Sequence, residues 1–122
     1  MELLTPIAAY DLSDGNTSAI LNFKGFEKYS IQAIWADVTG TNNGTIKISQ
    51  SNEPGETPTF DQMKVIDGTG TEVDFGITMS GTDGSATIED RIGFTGMQMK
   101  ITVTVGTITG GTLNVYVKKI YA

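Results

Sequence analysis

The sequence predicts an all-β chain folded as a two-sheet antiparallel β-sandwich, jelly-roll-like or Ig-like, with a closed barrel as the second architecture. Three observations carry this expectation. Apolar residues recur at every second position, and no stretch holds a 3.6-residue helical period. The turn signals "TNNG", "DGTG", "TDGS" and "TGG" recur between these runs. The runs are short, numerous and mostly single-faced, which is the pattern of two packed antiparallel sheets.

Along the chain, residues 1–12 ("MELLTPIAAYDL") lack alternation and read as an extended N-terminal arm, with residues 13–122 as the β-sandwich domain. The arm's Leu3, Leu4, Ile7 and Tyr10 are expected to order against a neighbouring subunit. On that reading, deleting the arm would leave the sandwich folded. The run 18–24 places Ala19, Leu21 and Phe23 on one face. The next, 29–38, places Tyr29, Ile31, Ala33 and Trp35 inward, with Ile34 and Val38 making its far end apolar on both sides. In 45–50, Ile46 and Ile48 point inward and Thr45, Lys47 and Ser49 outward. Shorter strands are expected near Met63–Ile66, Glu72–Ile77 and Ser85–Ile92, the last with Ala86 and Ile88 inward. In "MQMKITVTV" the inward set is Met97, Met99, Ile101, Val103 and Val105. In "TLNVYVK" it is Leu113, Val115 and Val117. The intervening "GTITGG" supplies glycines for a reversal, so residues 97–118 are expected to pair as a β-hairpin.

Composition excludes several function classes. A chain of 122 residues fits one domain. It has no cysteine, hence no disulfide or thiolate site. It has no histidine, which removes the usual general base near neutral pH and the commonest zinc ligand. Net charge is −6 with one arginine, Arg91, a poor basis for binding nucleic acid. Glu2 stands where a signal peptide would carry positive charge, and no run approaches the ~20 apolar residues of a membrane span. The expectation is a soluble protein made and used without export, with no cofactor, no nucleic-acid partner and no membrane.

Acidic residues gather near turns: Asp11 and Asp14, Asp67 and Asp74, Asp83, and Glu89 with Asp90. "DLSDGN" and "DGTGTEVD" faintly resemble calcium loops but lack regularly spaced acidic ligands with a bidentate Glu. Turn-forming aspartate is the better reading. Glu89 and Asp90 are strand neighbours that point to opposite faces, so they cannot flank one glycosidic bond. No serine or threonine has a base or a nucleophile-elbow spacing. The residues point away from catalysis. Trp35, aligned with Ile31 and Ala33, reads as a core anchor rather than a sugar-stacking residue. Tyr116 lies on the polar face of its strand and is a candidate protein contact. The sequons at Asn16 and Asn43 bear on function only in a secretory pathway.

From residue 29 to the end the order of motifs resembles a group of small β-sandwich virion structural proteins of tailed bacteriophages, of the head decoration or auxiliary type. The matching positions are Trp35, Gly44-Thr45, Ile46, Ile48, Ser51-Asn52, Gly93-Phe94 and Gly110 to Lys118. In that pattern Ser51-Asn52 ends a strand and opens a polar loop, here with Phe60 as its aromatic landing point. The resemblance implies a capsid decoration (auxiliary or cement) protein on the outer head surface, bridging capsid subunits. Its partners would be the major capsid protein or other virion proteins, and it would be a homo-oligomer or present in many copies. Its location would be the virion, after synthesis in the host cytoplasm. A neck, tail or head-fibre component belongs to the same class. A carbohydrate-binding β-sandwich module is the alternative from a different class, and it requires aromatics such as Tyr116 to lie together on one exposed face.

Overall fold

The computed structural model describes residues 1–23, 27–54, 57–94 and 96–121, with the side chains of 27, 90–94 and 121 left aside. The side chains of Asp90, Arg91, Phe94 and Tyr121 therefore lie outside the described set.

The strands are β1 (Glu2–Asp11), β2 (Thr17–Asn22), β3 (Glu27–Gly40), β4 (Thr45–Ser51), β5 (Asp61–Gln62), β6 (Lys64–Ile66), β7 (Glu72–Asp74), β8 (Gly76–Thr78), β9 (Gly84–Phe94), β10 (Gln98–Thr104) and β11 (Ile108–Tyr121). The only helical element among the described residues is a 3-10 turn at Leu12–Asp14. One sheet runs β1-β11-β3-β9. The other runs β2-β10-β4, with β5 and β8 both on the far side of β4, and β6-β7 forms a separate small hairpin. All pairings are antiparallel. Consecutive long strands thus alternate between the two sheets in the strand order of a jelly roll, which satisfies the jelly-roll form of the expected sandwich.

The core lies between the sheets. Tyr29, Ile31, Ala33, Trp35, Leu113, Val115 and Val117 come from one side, and Ile46, Ile48, Met99, Ile101 and Val103 from the other; all are buried. The expected inward faces of β2, β3, β4 and β9 are as read from their alternation. The far end of β3 has a local cause. Asp37 adopts φ 56 inside a β-bulge, with its N–H donating to Asp83 Oδ1 at 3.0 Å. The extra residue resets the alternation, so Ile34 stays 39% exposed while Val38 turns inward.

Two expectations are corrected. Residues 97–118 are not a hairpin: β10 pairs with β2 and β4, whereas β11 pairs with β1 and β3. The turn at Gly106-Thr107 carries the chain across the core from one sheet to the other, so the two apolar faces meet each other instead of lying side by side. Met97, at the start of this stretch, is exposed. Second, residues 1–12 are not an arm outside the sandwich. Residues 2–11 form an edge strand on β11, Ile7 is buried, and Leu12 closes the core beneath the 3-10 turn. Register breaks fall between Leu4 and Ile7 and between Ile7 and Tyr10, opposite Val117, Val115 and Leu113. Each bulge adds a residue, so the inward positions recur every third residue and a period-2 reading misses them.

Candidate functional site

The outer face of the β1-β11-β3-β9 sheet is built in rows fixed by strand register. Leu3, Lys118, Ser30 and Glu89 lie in one row, Tyr116, Gln32 and Thr87 in the next, and Asn114, Ile34 and Ser85 in the third. Residues opposite one another on neighbouring strands share a face, so these side chains stand together. A groove of about 390 Å³ opens between β1, β11 and β3, lined by Leu3, Leu4, Thr5, Ser30, Gln32, Tyr116, Val117 and Lys118. Leu3 is 71% exposed and Tyr116 40%, with Ile34 and Ile120 exposed to a similar degree as Tyr116 on the same face. Among the described residues the side chains of Thr5, Ser30, Gln32, Tyr116 and Lys118 have no hydrogen-bond or ion-pair partner, which leaves them available to a ligand or partner.

The structure brings together three of the five expected contact residues: Leu3, Leu4 and Tyr116. It separates the other two. Ile7 packs inward, and Tyr10 turns against the core with its hydroxyl donating to Gly15 O at 2.7 Å, so both are committed within their own fold.

On the opposite outer face, the chain itself covers the stretch around Lys100. Ser51 ends β4 and its Oγ accepts from Glu53 N–H at 3.1 Å, which turns the chain off the sheet. Glu53 then accepts from Thr59 N–H at 2.8 Å, and this hydrogen bond holds its carboxyl below the usual range. The loop lands with the Phe60 ring under Lys100 Nζ, 5.6 Å from its centroid. Gln62 fastens the segment by donating to Ile48 O at 2.9 Å and Met63 O at 2.8 Å. Beyond it, Asp74 pairs with both Lys64 (2.6 Å) and Lys47 (2.9 Å); hydrogen bonds from Lys64 and then Lys47 lower its carboxyl to about 2.

The other turn carboxylates hold backbone. Asp11 accepts from Ser13 Oγ and Ser13 N–H, the hydroxyl contributing most to its lowered pKa. Asp67 accepts from Thr69 Oγ1 and from the N–H groups of Thr69 and Thr71, again with the hydroxyl first. Asn16 and Asn43 accept from the N–H groups of Val105 and Thr107 through their side chains. Trp35 is 4% exposed with Nε1–H donating to Ser80 O at 2.9 Å, a core anchor as its alternation indicates.

Lys119 is a residue that the sequence reading passed over. It is 6% exposed, donates to Asn22 O, and its Nζ stands 4.5 Å from the Phe23 ring centroid and 3.6 Å from Glu2 Oε1. The signal was present: it continues the inward series Leu113, Val115, Val117. Its cation closes the open end of the sandwich and ties β11 to β1 and to the end of β2.

No family model and no curated protein matches the sequence. A solved structure shares the fold. A tailspike protein 4 domain of bacteriophage CBA120, described as its enzymatically active domain, superposes with a TM-score of 0.52 at 15% identity, over 86% of this chain. The match takes in 14% of that chain, so the present protein spans a small part of the tailspike's length. Two weaker likenesses are a chitosan-binding module of a Paenibacillus sp. IK-5 chitosanase/glucanase (TM-score 0.44, 16% identity, 95% of this chain and 75% of that one) and the CBM22-1–GH10 modules of a Clostridium thermocellum xylanase solved with xylohexaose (0.48, 13%, 98% and 27%). At 15% identity the tailspike match shows a shared fold alone.

Proposed function

We propose that the chain is a structural protein of a phage particle, and within that class a head decoration protein that attaches through the outer face of its β1-β11-β3-β9 sheet. The observation that carries this reading is the Leu3–Tyr116 groove. It offers exposed apolar side chains with a rim of unengaged polar ones, the composition of a protein contact, on the sheet face that no part of the described chain covers. The motif resemblance to phage virion β-sandwiches and the acidic balance, which suits the outside of a shell and not a DNA-lined interior, support it from the sequence. The mechanism is geometric. Each copy spans neighbouring shell subunits, and modest interfaces gain strength by repetition.

Co-sedimentation of the purified chain with particles lacking it tests the reading. Retention on particles is expected, together with its loss in Tyr116→Glu and its preservation in Thr104→Glu, which lies on the other sheet. A chain that never co-sediments with any particle of its phage refutes the assignment. A carbohydrate-binding role has one observation in its favour: Tyr116 stands beside the free amide of Gln32 and hydroxyl of Ser30. Yet Tyr10, Tyr29 and Trp35 all turn inward, so the aromatic platform that such a role calls for is a single ring among the described side chains. Specific glycan-array binding lost on Tyr116→Ala would establish it in place of the shell contact.

A further inference from the structure

An edge strand presents a row of unpaired N–H and C=O groups, and folded chains blunt such edges with bulges, proline, charge or brevity. Three of the edges in this sandwich carry those devices. β1 has two register breaks, Pro6, and Ala9 at φ 47. β9 contains the run Glu89-Asp90-Arg91. On the far side of β4, β5 and β8 are two and three residues long. The fourth edge, β2, is the least protected: Lys119 of β11 reaches the Asn22 carbonyl at one end, and from Thr17 to Leu21 none of these devices is present. "TSAILN" contains no charge, proline or glycine, and its register against β10 runs unbroken from Thr17↔Val103 to Asn22↔Gln98. Ile20, on its outer side, is 50% exposed.

We infer that β2 is a pairing site for a second copy of this chain, β2 against β2 and antiparallel, joining the two β2-β10-β4 sheets into one continuous sheet. The occupant follows from symmetry and charge. A two-fold axis normal to the sheet, passing midway between the two Ile20 residues, keeps outward side chains outward. It sets Ile20 opposite its own copy and Ser18 opposite the other chain's Asn22. The Asn22 Oδ1 already accepts from Gln98 Nε2 at 3.0 Å, so its NH₂ group remains to donate to the Ser18 hydroxyl. No like charges face one another across the seam. In a chain of net charge −6, an uncharged strand is where two copies approach with least repulsion. The contact is isologous, so it closes at two copies and does not propagate into fibres.

A seam of one six-residue strand buries little surface, so the dimer is of the weak, concentration-dependent kind. Sedimentation equilibrium of the full chain over a concentration series should show mass rising from 13.0 kDa toward twice that value. Ile20→Lys and Ile20→Glu each set like charges opposite one another, and each alone should remain monomeric. Because Ile20 is an outer-face side chain, both should keep the circular dichroism of the parent. An equimolar mixture of the two should regain the dimer, which a merely misfolded variant cannot do. A parent chain that stays monomeric across the series overturns the inference. So does a dimer that persists in both single variants, or a mixture that stays monomeric.

Discussion

Gly84 of β9 lies directly against the indole of Trp35 on β3: a Cβ built at Gly84 would fall 2.7 Å from the ring's Cζ2. The two residues are also register partners, and the indole N–H is fixed by Ser80 O at 2.9 Å just before β9 begins. The ring is therefore held along its Nε1–Cε2–Cζ2 edge, and the absent side chain is part of the packing. Gly84→Ala should force the indole from its place and destabilise the fold by about 1–3 kcal/mol, the usual cost of overpacking. Chemical denaturation measures it. Parental stability in Gly84→Ala would show that Trp35 has room to move.

The Trp35 contact also shows what the sequence could and could not disclose. Its inward orientation was legible because β3 alternates strictly from Tyr29 to Trp35. Gly84 as its seat was not, because "TDGS" reads only as a turn. The same division holds elsewhere. β2, β4 and the inward faces of β10 and β11 follow period 2 and were readable. The partners of β10 and β11 were not, since a turn that closes a hairpin and a turn that crosses a core use the same glycines and the same single-faced strands. β1 was hidden by its bulges, which spread Leu4, Ile7 and Tyr10 at every third position. Of the proposed contact face, Tyr116 was named from its place on the polar side of its strand, whereas Leu3 and Leu4 were named as part of an arm that proves to be β1. Their assembly with Ser30, Gln32 and Lys118 depends on the β1-β11-β3 register, which no local pattern encodes.

The placement of β10 in the sheet opposite β11 can be tested by cross-linking. Thr102 is the register partner of Ser18 on β2. Opposed residues of antiparallel strands stand about 4.5–5.5 Å apart at Cα, within the span of a disulfide. The chain has no cysteine to interfere. Ser18→Cys with Thr102→Cys should oxidise to an intramolecular disulfide without loss of β-sheet circular dichroism. Failure to form it, or formation only after denaturation, would contradict the β2-β10 pairing.

Acid should loosen the β4–β6–β7 corner. Hydrogen bonds from Lys64 and then Lys47 depress the Asp74 carboxyl from 3.8 to about 2. A depressed carboxyl stabilises the fold above its unfolded pKa and loses that contribution as pH falls through the folded one. Stability should therefore be insensitive to this group from neutral pH down to near 3.8, and decline between there and about 2. The lowered Asp11, Glu53 and Asp67 add to the same trend. In Asp74→Asn the decline should be shallower. Because these groups are solvent-exposed, the difference from the parent should shrink at ~1 M salt, where screening acts over about 3 Å. A Tm-against-pH curve identical in both proteins would show that the paired lysines do not stabilise the corner.

β1 has one face in the core and one on the groove, and if the proposed attachment uses the groove, single substitutions should separate folding from attachment in solution. Ile7 is 5% exposed and packed on the core, so Ile7→Ala should cost about 2–5 kcal/mol. Leu3 is 71% exposed on the groove side, so Leu3→Glu should change stability by no more than about 0.5 kcal/mol. Particle co-sedimentation below the melting range should respond in the opposite order: retained in Ile7→Ala, weakened in Leu3→Glu. Deleting residues 2–11 should do both kinds of damage, because it removes a whole strand from β11 and strips Ile7 from the core. A deletion variant that melts like the parent would mean that β1 does not belong to the sheet. If Leu3→Glu melted far below the parent, the outer face would be part of the packing. If it bound particles as well as the parent does, the contact would have to lie elsewhere than the Leu3–Tyr116 groove.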